Sequence, residues 1–270
     1  VHGNTLYKSH PEWHGRDRSG NPSPLLSFSY PEVRAHVIEM FREMTAYDID
    51  GICLLYNRRH PIVEYEQPLI DGFREQYGQD PRDMDPADSS WLRYRAGVIT
   101  TFMRELRETL NLPITAIVMN GEDENLSNGL DPQAWVSAGL VDTLVPFTDL
   151  PELNMTALPW EIPNSLGPYA NLTSDTNCQL VPCLDHAGMN PAILRHTADR
   201  LANQGAEGLF FWNGMVEPLV HYGPAWTAVR EMGHINEIIS WKNAGEPSLE
   251  PPVIDIDMLG DWPTRYVTPA

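Results

Sequence analysis

Cysteine is scarce in this sequence. Cys53, Cys178 and Cys183 are the whole set, and no two stand at Cys-x-x-Cys spacing. That argues against a disulfide framework and a zinc site. Cys53 and Cys183 sit in apolar runs and read as small core residues. Positive charge is short as well: 18 Lys and Arg stand against 37 Asp and Glu, a formal net charge of −19. Nucleic-acid binding, which needs basic surface to meet phosphates, is disfavoured. No apolar run reaches the roughly eighteen residues of a membrane-crossing helix. No Gly-rich phosphate loop, His-Glu-x-x-His pair or Gly-x-Ser-x-Gly elbow occurs. Asp185, His186, His221 and His60 lack a diagnostic metal spacing, so no metal and no other cofactor is expected.

What is present is a regular alternation of amphipathic and apolar segments. Pro31 to Thr45 has Val33, Val37, Met40, Phe41 and Met44 on one helical face, and Pro31 suits a first helical position. The next apolar run is Ile52–Tyr56. A polar excursion, about 57 to 90, separates it from a strong helix over Trp91–Leu110. Ile114–Met119 is the next strand, followed by the polar loop NGEDENLSNG. Asp131-Pro132 reads as cap and first turn of a short helix to Ala138. Thr143–Phe147, Gln179–Leu184 and Gly208–Trp212 are further strands, with helices from Asn190-Pro191 to Asn203 and from Ala225 to Ile239.

Strands alternating with helices predict a parallel sheet, and continuous apolar strands predict cover on both faces. An open doubly wound sheet and a (β/α) barrel both fit. Polar residues gather directly after the strands: Asn57-Arg58-Arg59, Asn120 to Asn125, Asp185-His186 and Asn213. That pattern favours a barrel with its active face at the strand C-termini. The run GICLLYNRRHP would then be a strand leaving the core and entering the site. Its arginines have two readings: ligand-facing donors, or ion pairs with Glu64, Glu66 or Asp71.

The segments HPEWHGRDRSG, PEVRAHVIEMFREMTAYDIDGICLLYNRRHP, FREQYGQDP, SSWLRYRAGVITTFMREL and GLDPQAWVSAGLVDTLVPF resemble glycosyl-hydrolase-like barrel proteins of the family-10-like group. The resemblance covers about Ser9 to His234. It implies a (β/α)8 TIM barrel in which Ile52–Tyr56 is strand four and Gly208–Trp212 strand eight. Strands one, two and most of three would be missing, so an incomplete barrel over 1–242 and a piece of a longer chain are expected. Residues 243–270 read as a linker or the start of a further domain. Many members carry an Asp where Leu55 stands here, so the role of that Asp does not transfer.

Glycoside cleavage needs two carboxyl groups across the scissile bond. Glu124 is the first choice as general acid/base, with Glu122 beside it and Asp185 as the partner. Tyr56, Asn57, Arg58, Asn120, Asn125, His186, Trp212 and Asn213 are the candidate sugar-binding residues: amides for hydroxyls, rings for the apolar sugar face. The acidic loop could equally be solvated, and Asp185 could cap a turn. The expected function is a glycoside hydrolase acting on a polysaccharide or glycoconjugate. The alternative is a barrel that binds carbohydrate, or serves as a scaffold, without cleaving. A carbohydrate is the expected partner, and an extracellular or periplasmic place follows only from that substrate. Oligomeric state is not legible.

Overall fold

The computed structural model describes residues 5–57, 61–147, 166–185, 191–212 and 240. The chain divides into two compact units: residues 1–153, 164–185 and 201–212, and residues 154–163, 186–200 and 213–270. All described strands belong to the first. A short helix α1 (Thr5–Ser9) leads into an antiparallel pair, β1 (His14–Arg16) and β2 (Pro22–Leu26), in register from His14 opposite Leu26. Gly20, at φ 86, makes the turn between them.

Helix α2 (Pro31–Met44) starts on its proline and turns Val33 and Ile38 into the core. Then come β3 (Ile52–Leu55), α3 (Gln67–Tyr77) and the long α4 (Ser89–Thr109). The Asp88 carboxylate caps α4 by accepting from the backbone N–H groups of Ser90 and Trp91. Trp91, Ile99, Phe102, Met103 and Leu106 recur at helical spacing and are all buried. Strand β4 (Ile114–Met119) follows, then α5 (Glu122–Ser127) and α6 (Pro132–Ser137), the latter capped by Asp131 through Ala134 N. Strand β5 (Thr143–Phe147), helix α7 (Gly167–Thr173), β6 (Gln179–Leu180), β7 (Cys183–Asp185), α8 (Pro191–Asn203) and β8 (Phe210–Trp212) complete the described elements.

Strands β3-β4-β5-β6 form one parallel sheet in that order, and β7-β8 a second parallel pair. The expected single strand Gln179–Leu184 is broken. The recorded pairing of β5 with β6 covers Thr143 with Gln179 and Leu144 with Leu180, Val181 N bonds Leu144 O at 3.0 Å, and Pro146, next along β5 on that side, has no N–H to give. Beyond the break, Cys183 pairs with Phe210 and Asp185 with Trp212.

The expectation of a (β/α)8 barrel, even an incomplete one, is corrected here: no closed barrel forms among the described residues. Among the described residues β3 pairs with β4 alone. The segment ahead of α2 does not supply a parallel neighbour for β3. Its glycine turn and prolines make it fold back on itself as β1-β2. Cover on both faces also fails at β3. Ile52, Leu54, Ile114, Ala116, Val118, Leu144 and Leu180 face the main core with the helices. On the opposite face Ile117, Val145, Phe147 and Cys183 form a second small cluster, while Cys53 and Leu55 are exposed. The predicted helix 225–239 and the segment 243–270 lie outside the described residues.

Candidate functional site

The parallel strands bring several of the predicted residues to their C-terminal ends. Asn57 stands two residues past β3, Asn120 directly past β4, Asp185 ends β7 and Trp212 ends β8. For Asp185 and Trp212 this placement concerns the backbone, fixed by their mutual register. Arg58, His186 and Asn213 lie outside the described residues.

Parity along β3 sorts the first two candidates. Ile52 and Leu54 face the helices, and Tyr56 continues that face. Its ring packs on Trp135 with centroids 5.3 Å apart, and its hydroxyl donates to Met103 Sδ at 3.3 Å. Burial pushes the phenol far above its ordinary range. Tyr56 therefore belongs to the core between sheet and helices. Asn57 has the other parity and is only 5% exposed. Neither its Oδ1 nor its Nδ2 has a hydrogen-bond partner among the described residues. A buried amide without partners costs about 1–3 kcal/mol, so it is rarely kept for stability alone.

The acidic run after β4 is not a loop but α5. Glu122, Asp123 and Glu124 form its first turn, where negative charge suits the helix dipole. All three are exposed, and Glu122 meets Arg93 at 3.4 Å. Asn125, by contrast, is completely buried and works within the fold. Its Oδ1 accepts from Met119 N at 3.0 Å. Its Nδ2 stands within 3.0 Å of Met119 O and 2.8 Å of both Gly121 O and the Tyr169 hydroxyl oxygen. The Tyr169 hydroxyl in turn donates to Met119 O. Asn125 thus ties the end of β4 to α5 and α7. A cleft of about 80 Å³ adjoins it, lined by Glu122, Leu130, Pro132, Tyr169 and Leu172. Ligand pockets usually hold roughly 300–1,000 Å³, so this one is too small for a sugar ring.

Glu66, read in the sequence only as a possible arginine partner, is a fully buried carboxyl. It accepts from Glu64 N at 3.0 Å and Arg16 N at 3.3 Å, and it bonds the Ser27 side chain. These bonds hold the β1-β2 pair to the start of α3. The signal for this was its place beside Gln67-Pro68, a helix start, not its charge. Burial raises the Glu66 pKa, more than those bonds lower it. In the window above the ordinary carboxyl range the folded chain then holds a proton that the unfolded chain has lost. Stability therefore falls as pH rises through that window. Glu66→Gln, which keeps the acceptor oxygen, should flatten this dependence. Thermal melts of both proteins from mildly acidic to neutral pH check it: the variant should gain on the wild type as pH rises, and a constant difference would refute the assignment.

A scan against protein-family models finds no match for this chain, and a search of curated proteins finds no similar one.

Proposed function

We propose that the chain is a glycosidase-type, carbohydrate-active protein that takes a saccharide at the strand C-terminal rim. The observation that carries this reading is Asn57: a buried amide with both polar atoms unpaired, at the end of β3. An amide offers one donor group and one acceptor, which matches a pair of sugar hydroxyls. In this reading Asn120, directly past β4, is the candidate second amide and Trp212, which ends β8, the candidate ring face. In the catalytic form of the proposal, Glu124, or Glu122 two residues nearer the cap, is general acid/base and Asp185 its partner. One observation favours the second form, binding without cleavage. Both glutamates stand exposed in the first turn of α5, and Glu122 is engaged by Arg93.

The test is a glycan array with the full chain and Asn57→Ala, paired with a hydrolysis screen on the bound glycans using Glu124→Gln. Wild-type binding reduced about tenfold or more in Asn57→Ala, with unchanged melting, is expected. Absence of any bound glycan would overturn the carbohydrate reading. Hydrolysis abolished by Glu124→Gln supports the catalytic form, and binding without hydrolysis supports the other.

A further inference from the structure

A cavity of about 280 Å³ opens where the β1-β2 turn meets the start of α3 and the turn Pro81–Asp83. On a chain with 18 Lys and Arg against 37 Asp and Glu, three arginines converge on it: Arg16, Arg18 and Arg82. Two carboxylates, Glu12 and Asp17, share the wall, and both are engaged locally. Glu12 bonds the His10 ring at 2.8 Å. Asp17 accepts from Asn21 N at 2.8 Å and from Asn21 Nδ2 at 2.9 Å.

Two of the guanidinium groups are held firmly as well. Arg82 pairs with Asp80 at 2.7 Å, and Arg18 donates to Arg82 O at 2.9 Å and Met84 O at 2.7 Å. Arg16 is held loosely. Its Nη1 meets Gly20 O and its Nη2 meets Pro11 O, each at 3.4 Å. A guanidinium on a carboxylate closes to about 2.7–2.9 Å, so a ligand carboxylate would outcompete both carbonyls. The Glu66 carboxyl takes the backbone N–H of Arg16, which fixes β1 beneath the fork.

Tyr30, in the same wall, adds a second donor. Burial first, then the nearby Glu66, raises the pKa of its phenol, which therefore stays a hydroxyl at neutral pH. Tyr65 and Ile70, 8% and 2% exposed, give the cavity an apolar floor. The volume lies just under the roughly 300–1,000 Å³ of drug-sized ligand sites, so the occupant is compact.

We propose that this cavity binds the carboxylate of a small organic acid, gripped by the Arg16 fork with the Tyr30 hydroxyl as second donor. Repulsion from the acidic chain as a whole fades over about 8 Å at physiological salt, so the local excess of three guanidinium groups over two carboxylates governs the cavity. A free acid and the uronic acid unit of a saccharide share this chemistry. The proposal does not need the rim reading, since neither Asn57 nor Asn120 lines the cavity.

Isothermal titration calorimetry on the full chain tests it, with sodium succinate and methyl β-D-glucuronoside as probes and methyl β-D-glucoside as the uncharged control. At least one acid should bind, more weakly as salt rises, and the glucoside should not. Arg16→Gln should weaken binding about tenfold or more, and Tyr30→Phe about threefold or more. Both changes keep the backbone bond of Arg16 to Glu66, and Tyr30→Phe removes a single oxygen, so it serves even if Arg16→Gln folds poorly. Arg42→Gln, on the exposed face of α2, should change nothing. Preference for succinate supports a free acid as ligand, and preference for the glucuronoside supports a uronic acid unit. No binding of either acid up to about 10 mM overturns the proposal. So does binding that both variants leave intact, or glucoside binding equal to that of the glucuronoside.

Discussion

Asn125→Ala should lower folding stability by about 2–4 kcal/mol, a large share of the roughly 5–15 kcal/mol that holds a domain folded. The Met119 N–H loses its acceptor, and the Met119 and Gly121 carbonyls and the Tyr169 hydroxyl lose a shared donor, all in a buried place. Asn125→Asp tests the same clamp differently. The carboxylate keeps the acceptor for Met119 N but turns a second oxygen toward two carbonyls. Its cost should grow as pH rises, since the site tolerates only the protonated form. Urea midpoints for the two variants at acidic and neutral pH measure this. A loss within about 0.5 kcal/mol, the range of ordinary surface changes, would mean that Asn125 does not clamp the β4 terminus.

Trp135→Ala should cost about 3–5 kcal/mol. The indole is completely buried on α6, against the Tyr56 ring, and its Nε1 donates to Thr100 Oγ1 at 3.0 Å. It therefore joins α6, α4 and the end of β3. Trp135→Phe separates packing from the hydrogen bond. The smaller ring keeps most of the apolar contact, and Thr100 keeps its own bond to Ala96 O at 3.2 Å. A loss below half that of the alanine variant is expected from the midpoint shift. Equal losses would place the hydrogen bond, not the buried ring, in charge of the site.

The same side chains show what the sequence made legible. Period and punctuation were enough for α2, α4 and α6, where proline or aspartate marks the start and apolar residues recur on one face. Ile114–Met119 and Thr143–Phe147 are strands over the expected residues. Polar composition misled. Residues 57–90 hide α3, whose Leu69, Ile70 and Phe73 face the core behind the turn-like residues Pro68 and Gly72. NGEDENLSNG hides α5, because acidic residues that look solvated also favour a helix N-terminus. Closure of the sheet was not legible at all: it depends on which strand lies beside β3, and local pattern carries no such information. At the site, Asn57 and Asn125 read alike as polar residues following strands. Only tertiary packing distinguishes an amide with every atom engaged from one with none.

Pro146, with no N–H to give, marks a seam where the recorded β5–β6 pairing ends and the β7–β8 pair begins. On one side, Asn57 and Asn120 ride on strands joined by an unbroken row of backbone bonds. On the other, Asp185 and Trp212 ride on β7 and β8, and Cys183 packs in one small cluster with Ile117, Val145 and Phe147. A methyl group added or removed at Val145 would therefore be felt in the packing of β4, β5 and β7 together, because interiors at this density do not absorb it locally.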